Sequence, residues 1–361
     1  MISTIGVLTG GGDCPGLNAV IRAVVKTAIS KYGLRVIGFK DGYRGLVLND
    51  FRELGLSDVS GILDRGGTIL GTSNKDNPFK YLITSKEPVE YKDMSDTCMD
   101  NLVKLGVDCL IAIGGDGTLT SARDFSRKGL NVVGVPKTID NDLFATDVTF
   151  GFNTAVTTAT EAIDKLHSTA ESHHRVMILE VMGRYAGWIA LESGIAGGAD
   201  VIILPEIPYD IKKISEKIIE RKSKGKNFSI IVVAEGAKSV KGDVVVAKVL
   251  ENSPDPIRLG GIGNRLAEEI ETHSGVETRV TVLGHLQRGG QPTPYDRILS
   301  TRYGVRAVEL AVEGKFGSMV SLRGCEITEV TLEEAVGKLK KVPLDYDLIQ
   351  TGKKMGICFG D

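Results

Sequence analysis

Short apolar, β-branched runs alternate along this chain with longer stretches whose apolar positions recur every three or four residues. The short runs predict strands over 5–8, 35–39, 109–113, 132–135, 176–180, 201–204, 230–234 and 277–283. The longer stretches predict helices over 18–32, 95–104, 119–128, 153–170, 210–222, 263–273 and 296–313. Strand and helix in alternation imply parallel sheets flanked by helices, hence an α/β fold. No solenoid period or low-complexity tract interrupts the pattern. A boundary is expected after Asp142, near Phe150-Gly151-Phe152. A polar insertion over 73–92, carrying Pro78 and Pro88, reads as a surface excursion.

Composition narrows the partners. With 361 residues, 42% hydrophobic and 25% charged, the chain can bury a large core divided between two domains. Its formal net charge is −2 and it has no Lys/Arg run, so neither nucleic acid nor a membrane surface is expected as a partner. Small anions stay open as ligands, because they need only local positive charge. No apolar run approaches the roughly 18 residues of a membrane span, and no secretory leader pattern opens the chain. Five cysteines (Cys14, Cys98, Cys109, Cys325, Cys358) without C-x-x-C spacing fit free thiols, and the expected location is the cytoplasm.

The chemistry gathers just after predicted strands. The run 132–135 stops at Pro136-Lys137-Thr138-Ile139-Asp140-Asn141-Asp142, and ligands of open α/β sheets bind beyond the carboxyl ends of strands. Asp140 and Asp142, two apart, point the same way in an extended segment, which suits a metal site or a general base; the alternative is a polar loop in which Asp142 caps a helix. Thr9-Gly10-Gly11-Gly12-Asp13-Cys14-Pro15-Gly16-Leu17-Asn18 closes the first strand. Its glycines let backbone N–H groups approach an anion at a helix N-terminus, unless they serve only a tight turn. It is neither a P-loop nor a full G-x-G-x-x-G fingerprint. Gly114-Gly115-Asp116-Gly117-Thr118 repeats the arrangement, with Asp116 placed to reach a magnesium ion or simply to cap the next helix. In the second half, His174-Arg175 precedes a strand, Met182-Gly183-Arg184 follows it, Arg279 lies within a later β-type run, and His285-Leu286-Gln287-Arg288-Gly289-Gly290 ends that run. Such arginines suit forked contacts to phosphate, although singly each also fits a surface ion pair.

Taken together these segments resemble the 6-phosphofructokinase family, with its ATP-dependent and pyrophosphate-dependent members. The resemblance runs from Ile5 to about Gly317, and also rests on Gly66-Gly67-Thr68 and Pro294-Tyr295-Asp296-Arg297. It implies two Rossmann-like three-layer domains with mostly parallel sheets. The donor domain would comprise 1–150 with about 288–337, and the sugar-phosphate domain 151–287 with the C-terminal tail.

The resemblance also implies roles. Asp140 is the base for the sugar 1-hydroxyl, with Thr138, Asp142 and Arg184 supporting that centre and Asp116 holding Mg2+. Gly11, Gly12, Tyr43, Lys75, Gly115, Gly117 and Thr118 would meet the phosphoryl donor. Fructose 6-phosphate would be held by Thr138, Ile139, Met182, Gly183, Arg184, Glu235, His285, Leu286, Gln287 and Arg288. Arg175 and Arg279 would reach in from a neighbouring subunit of a homotetramer. Gly117 stands where pyrophosphate enzymes carry an aspartate and leaves room for ATP, whereas Lys137 is typical of pyrophosphate enzymes. The reading is therefore an ATP-dependent glycolytic kinase making fructose 1,6-bisphosphate, with pyrophosphate as the alternative donor. A non-catalytic regulatory subunit is the alternative of another class, opposed by the intact Asp116, Asp140 and Asp142. Of the family's effector residues, Arg22 and Lys224-Gly225-Lys226 match, while Leu56 and His167 replace arginines; insertions at 73–92 and 237–258 set the chain apart from the short bacterial enzymes.

Overall fold

A computed structural model describes residues 2–85, 89–242, 244–249 and 257–361. Pro88 and part of the 237–258 insertion lie outside the described residues. The apolar runs become the strands of two sheets. Strands β1 (Thr4–Thr9), β2 (Arg35–Phe39), β3 (Phe51–Glu53), β4 (Cys109–Gly114) and β5 (Val132–Pro136) belong to the first. Strands β6 (Val176–Val181), β7 (Val201–Ile203), β8 (Ser229–Ala234) and β9 (Thr278–Val282) form the second. The chain then returns to the first sheet as β10 (Ser318–Arg323) and β11 (Glu326–Thr331).

In the first sheet the order is β11-β10-β5-β4-β1-β2-β3, in the second β9-β6-β8-β7. The five central strands of the first sheet and all four of the second are parallel, and only β3 and β11 run antiparallel, at the edges. Alternate residues of each strand face opposite layers. In β1, β4 and β5, Ile5, Val7, Ile111, Ile113, Val133 and Val135 face a core that also takes Leu179, Val181, Ile230 and Val232 of the second sheet. Leu8, Leu110, Ala112 and Val132 face an outer layer under the helices Tyr43–Leu48, Ser95–Lys104 and Asp116–Arg127. Burial on both faces is why these strands read as continuous apolar runs rather than alternating ones.

Three sequence expectations change. The edge strands β3 and β11, and β10 beside β11, carry no apolar run long enough to mark them; β11, Glu-Ile-Thr-Glu-Val-Thr, is only half-buried. Helix Trp188–Ala196 is buried nearly all round, so it lacks the amphipathic period that marks a surface helix. The 73–92 excursion contains a small hairpin, Tyr81–Thr84 with Glu90–Lys92. All five cysteines are free thiols, as expected.

The two sheets are joined through polar groups as well as apolar ones. Asp296, in the first turn of helix Pro294–Val312, is fully buried and accepts from Thr154 N at 2.8 Å and Thr154 Oγ1 at 2.6 Å, in the first turn of helix Phe152–His173. Thr293 caps its own helix and donates to Asn153 Oδ1 at 2.7 Å. This latch fixes two long helix N-termini side by side, directly behind the loops described next.

Candidate active site

Three loops leave the carboxyl ends of adjacent strands β1, β4 and β5, and the strand ladder continues into them. Gly10 N donates to Ile113 O and Lys137 N to Gly114 O, both at 2.9 Å. Thr118 is packed between the two glycine turns: a Cβ on Gly10 would lie 2.6 Å from Thr118 Oγ1, and one on Gly114 2.3 Å from Thr118 Cβ. Only glycine permits that approach. Beneath them, buried Tyr43 donates its hydroxyl to Thr118 O at 2.9 Å. The 72–75 turn is tied to the same loop, with Gly11 N on Ser73 O at 2.9 Å and Thr72 Oγ1 on Gly11 O at 2.6 Å. Exposed Lys75 therefore sits beside the glycine loop, whereas Tyr43 and Thr118 lie under it and shape it.

The third loop carries the carboxylates. Asp140 is 5% exposed, its N–H donates to Thr138 Oγ1 at 3.0 Å, and its buried Oδ1 has no hydrogen-bond partner. Burial pushes the Asp140 carboxyl up, against the pull of the Arg288, Arg184 and Lys137 charges. Burial, then the Asp140 charge, pushes Asp142 up to about 6. Lys137 is buried with its ammonium on Gly12 O, and burial lowers its pKa. A buried carboxylate oxygen without a donor, under the pull of three cationic side chains, makes Asp140 a candidate functional group.

The second sheet supplies two of those cations, Arg184 and Arg288, from its own carboxyl edge. Gly183 and Arg184, past β6, have φ of 138° and 50°. Arg184 N donates to Glu235 Oε1 at 3.0 Å, past β8; burial, then the Asp140 charge, raises Glu235 to about 7. Past β9, buried Gln287 accepts from Met182 N at 3.3 Å and donates to Gly284 O at 3.0 Å. Arg288 reaches back across the sheets, with Nη1 on Asp13 O at 3.3 Å and close enough that a Cβ on Gly12 would lie 2.1 Å away. His285 and Leu286 are exposed on the same turn. The Gln287 side chain thus ties the turn past β9 to the Met182 loop.

Two predicted residues are not brought to this place. Arg175 precedes β6 and Arg279 lies near the start of β9, so both occupy the amino edge of the second sheet. Each pairs there with Glu277, Arg175 at 2.8 Å. Sequence reasoning in turn missed the segment 337–342, which carries no motif; Gly337 N donates to Asp116 Oδ1 at 2.9 Å and Lys340 N to Asp142 O at 2.8 Å.

Asp116 is exposed at the head of its helix, and the Gly337 N–H engages its Oδ1. Among the described residues no three His, Cys, Asp or Glu side chains form a metal cage. One carboxylate beside two glycine turns is the donor set of a hard cation that arrives with phosphates and water, and so it fits Mg2+.

Comparison with known proteins agrees with this geometry. The phosphofructokinase family model matches residues 4–311. The ATP-dependent 6-phosphofructokinase 2 of Clostridium perfringens is 64% identical over 100% of this chain and 99% of its own length. The ATP-dependent 6-phosphofructokinase of Spirochaeta thermophila is 51% identical over 99% and 98% respectively. Among solved structures, phosphofructokinase from Saccharomyces cerevisiae superposes with a TM-score of 0.79 at 33% identity; the match covers 92% of this chain and 45% of the yeast chain. With a family match over most of its length, near full-length identity to those relatives and the same two-sheet architecture, this chain belongs to the phosphofructokinase family.

Proposed function

We propose that this chain is an ATP-dependent 6-phosphofructokinase, transferring the γ-phosphoryl group of ATP to the 1-hydroxyl of fructose 6-phosphate. The observation that carries this reading is the Asp140 carboxylate, buried and unpaired at Oδ1, placed between a glycine cradle on one sheet and Arg184 and Arg288 from the other side. Phosphoryl transfer asks the protein for positioning and for neutralisation of charge on the moving group. The amides of Gly12, Gly115 and Gly117 supply the first for the donor, on a turn that Gly11 shapes with its own N–H tied to Ser73 O. Arg184 and Arg288 supply the second, and also hold the sugar phosphate together with Met182, Gly183, Glu235 and His285. Asp140 takes the proton of the attacking hydroxyl, while Thr138 and Asp142 fix its loop. Asp116 would hold Mg2+, which when bound offsets charge on the donor phosphates.

The sequence unit around the first sheet serves as the donor domain and that around the second as the sugar-phosphate domain. Arg175 and Arg279, at the wrong edge of their own sheet for this site, are read as completing the sugar-phosphate site of a neighbouring subunit in a homotetramer. Lys137 is the one residue that favours pyrophosphate as donor; its ammonium is spent on Gly12 O, and Gly117 has open space where a Cβ would be, which favours ATP.

Asp140→Ser tests the base. Turnover is expected to fall about 10²–10⁴-fold, with the KM for fructose 6-phosphate little changed; near-normal turnover would contradict the role. Because a base works deprotonated and burial raises both Asp140 and Asp142, the latter to about 6, kcat/KM is expected to rise with pH through that region.

A further inference from the structure

Residues 337–342 lie beyond the family-matched span 4–311, yet they hold the loops of the site from behind. Gly337 N donates to Asp116 Oδ1 at 2.9 Å, Leu339 bridges antiparallel to Leu143, and Lys340 N donates to Asp142 O at 2.8 Å. Val342 N donates at 2.9 Å to Glu206 Oε1, which also accepts from Gly187 N at 3.0 Å, three residues past Arg184.

Lys340 is the knot in this strap. An ammonium has three protons, and each finds an acceptor: Asn141 Oδ1 at 2.8 Å, Asp147 O at 2.8 Å and Thr146 O at 2.9 Å. Its Nζ stands 5.5 Å from the centre of the Trp188 ring, whose Nε1 donates to Lys340 O at 2.8 Å. The loop it closes is strained, since Asn141 and Ala145 have φ of 51° and 64°. Left-handed backbone at a non-glycine residue is costly, less so for asparagine than for alanine, and persists where the surroundings over-determine it. Lys340 ties the start of that loop to its end, and Asp140 is the next residue before it.

We propose that Lys340 is a positioning residue for phosphoryl transfer: its ammonium clamps the 141–147 loop and so sets the Asp140 carboxylate against the acceptor hydroxyl. This rests on the reading of Asp140 as the base. The charges facing Lys340 are Asp147, Asp142 and Glu192, which favour its protonated form, and Arg323, which opposes it; burial outweighs them and brings its pKa down to about 8. The clamp is therefore complete below that pH and loses a donor and a charge above it.

The test compares kcat and KM of the wild-type chain, Lys340→Met and Asp140→Ser with ATP and fructose 6-phosphate, from about pH 6 to about pH 9.5. At neutral pH, Lys340→Met is expected to lose about 10²-fold in kcat, the scale of a misplacement of about 1 Å, with both KM values nearly unchanged. The wild-type loss of kcat above about pH 8 should be absent from the variant. An unimpaired kcat, or an alkaline limb shared by both, overturns the proposal. If Lys340→Met does not fold, Lys340→Arg decides, since it keeps its charge throughout the range: loss of the alkaline limb supports the clamp, and a limb unchanged from the wild type overturns it. A fully active Asp140→Ser would remove the base reading and this proposal with it, whereas an inactive Asp140→Ser beside an unimpaired Lys340→Met removes the role of Lys340 alone.

Discussion

Gly117 shows how much one missing side chain can decide. A Cβ there would meet nothing within 4 Å, so the position is set by what the site must admit, not by packing. Gly10 and Gly114 are the reverse case, since Thr118 fills the space a Cβ would need. Gly117→Asp is accordingly expected to leave the unfolding free energy within about 0.5 kcal/mol, because an acid in the first turn of a helix is well placed. Its charge would face the donor phosphates, raising the KM for ATP at least tenfold, equivalent to about 1.4 kcal/mol. Thermal unfolding measured beside initial rates checks both halves; an unchanged KM for ATP would show that the position does not govern the donor.

At the scale of elements, the helix latch at Asp296 is the joint that lets two sheets present their carboxyl edges to each other. Asp296→Ala leaves Thr154 N and Oγ1 without their buried acceptor, at a cost of about 1–3 kcal/mol. A denaturant midpoint equal to that of the wild type would contradict it. Most of this scaffold was legible in the sequence, because strands buried on both faces are long β-branched runs and the helices around them are amphipathic. The motif loops were legible for the same reason, since each directly follows such a run. What escaped was polar or uniform: the half-buried edge strand Glu326–Thr331, and helix Trp188–Ala196, which has no polar face. Lys340 escaped because its partners are two backbone carbonyls and one amide brought together only by the fold. Tyr43 and Gln287, which the resemblance gave as site residues, have side-chain hydrogen bonds to Thr118 and Met182, partners that no sequence motif shows.

For the whole molecule, the placement of Arg175 and Arg279 at the far edge of the second sheet argues for assembly. Both pair with Glu277, whose carboxyl the Arg175 guanidinium keeps below the usual range. Arg175→Ala is expected to raise the KM for fructose 6-phosphate while the KM for ATP stays put, and hybrids assembled from this variant and an Asp140→Ser variant are expected to regain more activity than the sum of the two alone, because an intact Asp140 and an intact Arg175 then meet in one shared site. An unchanged KM for fructose 6-phosphate would refute the shared contact.

The central claim, that the glycine cradle, Asp140 and the arginines of the second sheet together make an ATP-dependent 6-phosphofructokinase, is tested most directly by initial rates with fructose 6-phosphate and Mg2+, with ATP and pyrophosphate offered in parallel at matched concentrations. Turnover with ATP and none with pyrophosphate is expected. Turnover with pyrophosphate alone, or with neither donor, would contradict it.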